Sequence, residues 1–226
     1  MGTSLKCLYG FAADLTVGPK WIHGRVFAVL AFDFEKSFGG KYKRELHFLE
    51  KYYQNHVSLI TGEESGASLR QAGPADKIII IGHANSSGFG GEGYSRLAEV
   101  DGNSRFLRLT PQEQSELIVT RLVWLGLRHT GVIKLHACET GRQTGLFMPA
   151  LYRQLQKQNI RFSYLSAPTG FYKYNPVVPH YVSESSKGRL GMPVAGDEYT
   201  ILAGNVPRDF HGTRYVLDNA SPVTSL

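Results

Sequence analysis

The chain has 226 residues, enough for one substantial hydrophobic core or at most two small domains. An apolar share of 42% argues against wholesale disorder, and no window reaches the apolar length of a membrane-spanning helix. The formal charge of +6 comes from scattered Lys and Arg residues rather than a dense block, which predicts a mildly basic, solvated surface and argues against nucleic-acid binding.

Two cysteines, Cys7 and Cys138, are too few for a disulfide framework and suit a reducing compartment or a reactive thiol, although one bridge between them stays open. The first residues carry no clean signal peptide, because Asp14 interrupts the short apolar stretch. Lys6 stands where a myristoylation pattern wants Ser or Thr.

In chain order, residues 25–33 (RVFAVLAFD) are rich in β-formers and predict a strand. Residues 41–56 place Leu46, Leu49 and Tyr53 on one stripe and predict a helix. Residues 77–82 (KIIIIG) are nearly all Ile, the pattern of a strand buried on both faces. A β-hairpin is expected next, with residues 96–100 and 105–109 flanking a turn at 101–104. The run Thr110-Pro111-Gln112-Glu113 is a capping box with Pro at the first helical position, opening a helix over 110–129. Its stripe is Leu117, Ile118, Arg121, Leu122 and Leu125, with Arg121 the one break and Gly126 and Gly131 at the exit.

Residues 132–138 (VIKLHAC) predict another buried strand, 147–158 a helix carrying Met148, Leu151 and Leu155, and 162–167 (FSYLSA) a further strand. Pro149 is tolerable near the start of that helix. Beyond residue 168 Pro, Gly and Tyr are frequent, and 199–203 is one more strand candidate. The alternation predicts an α/β fold: a mainly parallel sheet flanked by helices, with right-handed crossovers and a β-hairpin inserted after the strand that ends at His83. Residues 1–206 are expected to form the domain, and 207–226 a tail or docked extension.

In open α/β sheets ligands gather beyond the carboxyl ends of the strands. Two predicted strands end there in reactive side chains: KIIIIG runs into His83, and VIKLHA runs into Cys138. If those strands are parallel and near neighbours, an imidazole and a thiol emerge on one edge. A thiolate is the nucleophilic form, and a nearby imidazole can take the thiol proton. The turn Glu139-Thr140-Gly141 offers backbone N–H groups that could face a developing oxyanion.

These segments resemble the caspase, legumain, gingipain and clostripain group of cysteine peptidases, to which large-toxin autoprocessing domains are also related in fold. Ile81-Gly82-His83-Ala84 is similar to the family's segment around its catalytic His, and His136-Ala137-Cys138-Glu139-Thr140-Gly141 to the segment around its catalytic Cys. The resemblance covers roughly residues 25–170. It implies a caspase-like fold and a Cys138–His83 dyad that cleaves protein or peptide substrates without a metal. It also implies that the backbone N–H groups of Cys138 and Ala84 form the oxyanion hole. Ala84 stands where the family has Gly, and His136 where caspases have Gln and legumains Glu. By the same resemblance His136, Ser166, Ala167 and Pro168 line the substrate pocket, and His136 shares the face of Cys138 if the strand alternates. Phe89-Gly90-Gly91-Glu92-Gly93-Tyr94-Ser95 resembles the corresponding loop of the toxin domains, which implies inositol hexakisphosphate as an activator and, by analogy, a bacterial toxin or an effector injected into a host cytosol.

Other readings stand beside this one. Cys138 and His83 can be a buried small residue and a strand-end cap. His83, His136 and Cys138 can supply three zinc ligands. Asn85-Ser86-Ser87-Gly88 can cradle phosphate. A catalytically inactive, peptidase-like module that binds a protein or an anionic ligand such as an inositol phosphate is the non-enzymatic alternative. Acyl transfer to an acceptor other than water is a second enzymatic one. A Gly-x-Ser-x-Gly elbow is absent from the sequence, which weakens a serine-hydrolase reading.

Overall fold

The protein is described by a computed structural model over residues 24–31, 47, 49–50, 57–60, 68–89, 94–100, 102–142, 145–173, 181–183, 199–206 and 208. Six strands form one sheet. In chain order they are β1 (Val26–Leu30), β2 (Val57–Ile60), β3 (Lys77–Ile81), β8 (His129–His136), β9 (Arg161–Pro168) and β12 (Tyr199–Ala203), and their spatial order is β12-β9-β8-β3-β1-β2. All neighbours pair in parallel except β12, which runs antiparallel to β9 along one edge. Among the described residues three two-stranded pairs accompany it: β4 (Ala84–Asn85) with β5 (Gly88–Phe89), β6 (Ser95–Val100) with β7 (Asn103–Arg108), and β10 (Phe171–Lys173) with β11 (Tyr181–Ser183).

The apolar runs explain the sheet. Every residue of β1 and β3 is buried, and in β8 all but His129. Strands wrapped on both faces cannot alternate apolar with polar as one-sided strands do. The path of the chain explains the layers. From β3 it steps to β8 and then β9 in one direction, with α1 (Pro111–Trp124) and α2 (Phe147–Lys157) as the crossovers. Right-handed crossovers taken in one direction lie on one face. Phe27, Val29, Ile78, Ile80, Ile133, Leu135 and Leu165 accordingly pack with Ile118 and Leu122 of α1 and Leu151 and Leu155 of α2. The step from β1 to β2 goes the other way. His47, Leu49 and Glu50, within that connection, are helical, and Leu49 is fully buried outside the α1–α2 cluster.

The ends of α1 follow from single residues. Thr110 caps it, its hydroxyl accepting from the Glu113 N–H while the Glu113 carboxylate accepts from the Thr110 N–H at 2.8 Å. The helix stops at Trp124 because Gly126 turns left-handed at φ 92°. The Gly126 N–H then bonds Val123 and the Leu127 N–H bonds Leu122, the double closure typical of a glycine stop. Arg121, the polar break in the apolar stripe, has a structural use: its guanidinium donates to the carbonyl of Leu30, the last residue of β1.

Several boundaries differ from the sequence expectation. The helix expected over 110–129 ends early, and β8 begins at His129 and stops at His136, leaving Cys138 in the following turn. Val100 pairs with Asn103, so the hairpin turn is two residues rather than four. β2 was not anticipated: four residues beside a polar stretch give too short a period to read. Most of the helix expected over 41–56, the tail expected over 207–226 and Cys7 lie outside the described residues.

Replacing Thr110 with Ala is expected to lower stability by about 1 kcal/mol, read from urea unfolding. Glu113 gives a pH test. The Thr110 N–H, then its hydroxyl, hold the Glu113 carboxyl below its ordinary 4.5, with Arg96 adding to the effect. A depressed folded-state value stabilises above pH 4.5 and is lost as pH falls through it. The gap in melting temperature between wild type and Glu113→Gln should therefore be present at neutral pH and close on acidification below 4.5.

Candidate active site

The register of β3 on β8 sets the site. Ile81 lies opposite His136, and the pairing continues one step past the strand, where the Gly82 N–H donates to the His136 carbonyl at 3.2 Å. Successive residues alternate faces. Ile80, Ala84, Leu135 and Ala137 belong to the core on the α1–α2 side. A Cβ on Gly82 would lie 2.3 Å from the Phe89 ring and 2.9 Å from the Ala31 Cβ, which places Gly82 on that side too. His83 follows Gly82 just past the end of β3, and Cys138 follows Ala137 in the turn after β8, so both positions lie at the same edge, beyond neighbouring strands about 4.8 Å apart. His83 is exposed and Cys138 is half-buried, so both positions meet solvent.

Beyond His83 the chain folds back as β4–β5. Asn85 and Gly88 close its two-residue turn, and Ala84 is the next pair out, opposite Phe89. In such a hairpin the closing pair exchanges hydrogen bonds and the next pair does not, so the Ala84 N–H points away from β5. Phe89 behaves accordingly, its N–H donating to the Gln114 side chain of α1 at 2.8 Å. Arg108 of β7 clamps this loop, donating to the Phe89 and Gly88 carbonyls and to Asn85 Oδ1. Burial pushes the Arg108 pKa down, but a guanidinium keeps its charge at neutral pH. Asn85 Oδ1 also accepts from the Ser87 N–H, so the Asn85–Gly88 turn is tied up internally rather than built as a phosphate cradle.

The turn after Cys138 is held from three sides. Glu139 is left-handed at φ 55°, unusual for a residue with a side chain. Its N–H donates to the Gly170 carbonyl at 2.7 Å, and its carboxylate pairs with Arg142 at 2.8 Å. The Thr140 hydroxyl bonds the Ala137 carbonyl at 2.9 Å. The Gly141 N–H donates to Pro168 and the Arg142 N–H to Glu139. This corrects the expectation that N–H groups of Glu139-Thr140-Gly141 face an oxyanion: those of Glu139 and Gly141 are spent docking the turn onto the end of β9.

The expected substrate-side residues divide. His136 and Ser166 are 1% exposed, Pro168 is buried, and all three fall on the sheet face away from the α1–α2 core. Ala167 does not, since it alternates with them and packs into the α1–α2 core. Two neighbours on the face of His136 and Ser166 escaped the sequence reading: Lys134, 6% exposed, and Tyr199, also 6% exposed. Their signal was the period-2 spacing of Lys134, His136 and Cys138. Among the described residues no three His, Cys, Asp or Glu side chains are placed to hold a metal ion, so His83, His136 and Cys138 do not gather as a zinc site. Among the same residues no helix is long and apolar enough to cross a membrane. No protein-family model and no curated protein matches the chain.

Gly82→Ala should cost about 1–3 kcal/mol in denaturant unfolding, because the new methyl group collides with Phe89 and Ala31 beneath the His83 exit.

Proposed function

We propose that the chain is a cysteine endopeptidase of the caspase-like kind. The observation that supports the reading is the placement of His83 and Cys138 at one edge, beyond adjacent parallel strands and with access to solvent. A thiol and an imidazole brought together this way are the minimum needed for acyl transfer.

In the proposed reaction His83 takes the Cys138 proton, and the sulfur attacks the carbonyl carbon of the scissile peptide bond. The oxyanion is met by the backbone N–H of Cys138 and by that of Ala84, which its hairpin turns away from β5. The C–N bond then breaks, His83 returns the proton to the departing amine, and a thioester to Cys138 remains. Water, deprotonated by His83, attacks the thioester, releases the carboxylic acid and restores the thiol. The docked turn at 139–142 and the Arg108 clamp hold the two sides of this arrangement rigid, which is what a fixed attack geometry requires.

The test is cleavage of a mixed peptide library. Cys138→Ala should abolish cleavage, and His83→Ala should lower kcat by roughly 10²–10⁴-fold, both with melting temperatures near wild type. A mild thiol-reactive acylating probe should label Cys138 in wild type and lose that labelling in His83→Ala. Full activity in Cys138→Ala overturns the reading.

A further inference from the structure

The β6–β7 hairpin stands apart from the six-stranded sheet, and among the described residues no third strand pairs with it. A two-stranded ribbon is marginal in water on its own. All six residues of β7 are exposed, whereas Ser95, Ala98 and Val100 of β6 are partly covered. β7 is therefore the more open edge of the ribbon.

The register fixes which backbone groups face outward. Val100 and Asn103 close the two-residue turn and exchange hydrogen bonds, as do Ala98 with Arg105 and Arg96 with Leu107. The Leu109 N–H, donating to the Tyr94 carbonyl at 2.8 Å, continues that alternation. The pairs in between do not exchange bonds. The N–H and carbonyl groups of Ser104, Phe106 and Arg108 accordingly point out of the ribbon along the β7 edge. An edge of this kind is a template for another strand.

The side chains along the edge say what kind of strand. Leu97 and Phe106 are directly opposed on one face, 63% and 71% exposed, and Leu107 on the other face is 38% exposed. Along β7 two guanidiniums, Arg105 and Arg108, bracket the apolar pair Phe106-Leu107. Arg108 gives its donors to the Gly88 and Phe89 carbonyls and to Asn85 Oδ1, none of which carries a charge. Glu99, the one carboxylate in the two strands, is registered with Ser104 and so lies on the face opposite to Arg105. Arg96 of β6 is the contrast, since it meets Glu113 at 3.1 Å.

We propose that β7 is a docking strand for an extended segment of a protein partner, and that this segment carries two acidic residues flanking two apolar ones. The segment adds antiparallel to the outer edge, exchanging backbone hydrogen bonds with Phe106 and Arg108. Read in its own direction it places an acidic residue opposite Arg108, apolar residues opposite Leu107 and Phe106, and an acidic residue opposite Arg105. Charge decides against a second copy of the chain as the occupant. Two β7 strands side by side would double the guanidiniums with no carboxylate in either strand, and like charges across a ladder are destabilising. The inference is independent of the dyad reading, because it uses neither His83 nor Cys138.

The test is fluorescence anisotropy with short fluorescein-labelled peptides, titrated with the full chain as Cys138→Ala so that no cleavage consumes the probe. A peptide with the core Glu-Ile-Val-Glu should bind tenfold or more tighter than one with Gln-Ile-Val-Gln. Phe106→Ser and Arg105→Glu should each weaken it by tenfold or more, with melting temperatures near that of the parent because both side chains are exposed. The Arg105→Glu chain should regain binding to Glu-Ile-Val-Lys, a recovery that only a folded protein in the stated register gives. N-methylation of the peptide Val, whose N–H meets the Phe106 carbonyl, should abolish binding. N-methylation of the Ile, whose N–H points away from β7, should not.

Equal binding of the acidic and amide peptides overturns the inference, as does binding unmoved by Arg105→Glu or equal loss from the two N-methylated peptides. Sedimentation of the chain alone supplies the remaining outcome. A dimer that Phe106→Ser dissociates, together with no binding of the acidic peptide, assigns the edge to a second copy and defeats the proposal.

Discussion

The register between β3 and β8 is the constraint on which everything else depends. Ile81 opposite His136, extended by the hydrogen bond from Gly82, decides which residues leave the sheet side by side. A slip of one residue would turn every side chain of one strand to the other face and separate His83 from Cys138. Burial on both faces makes such a slip costly, because it would exchange the polar set Lys134 and His136 with Leu135 and Ile133 in the α1–α2 core. The same apolar packing that stabilises the sheet therefore holds the candidate site in alignment.

Around that register the structure spends its hydrogen bonds on the two loops that leave the edge. Arg108 and Gln114 tie the loop after His83 to β7 and α1, and the ends of β9 receive the turn after Cys138. Arg121 secures β1 in the same way, from the interior of an otherwise apolar helix face. Each bonds a backbone atom near the carboxyl edge. The loops connected by these bonds are the ones that would have to hold still during attack on a peptide.

Much of this was legible in the residues. Near-continuous apolar runs marked β1, β3, β8 and β9, and the capping box marked the start of α1. The pairing of a strand ending at His83 with one ending at Cys138 named the candidate dyad before any coordinates. Less visible was β2, whose four residues carry no readable period, and the length of the β6–β7 turn, which depends on pairing across the hairpin. The resemblance groups Ala167 with Ser166 and Pro168, whereas a strand sends consecutive side chains to opposite faces. Lys134 was passed over for the converse reason: its relation to Cys138 is spatial, four residues away along an alternating strand.

The sequence by itself determined the fold class and the order of its main elements, and it singled out the two side chains proposed as a dyad, because these follow from local period and residue chemistry. Only the tertiary structure decided that β3 and β8 are neighbours, that the Glu139 and Gly141 N–H groups are consumed, and that Lys134 sits over the Tyr199 ring. Those facts depend on contacts between residues far apart in the chain. No local pattern encodes them, since strand neighbours are chosen by crossover handedness and by the burial of both sheet faces together.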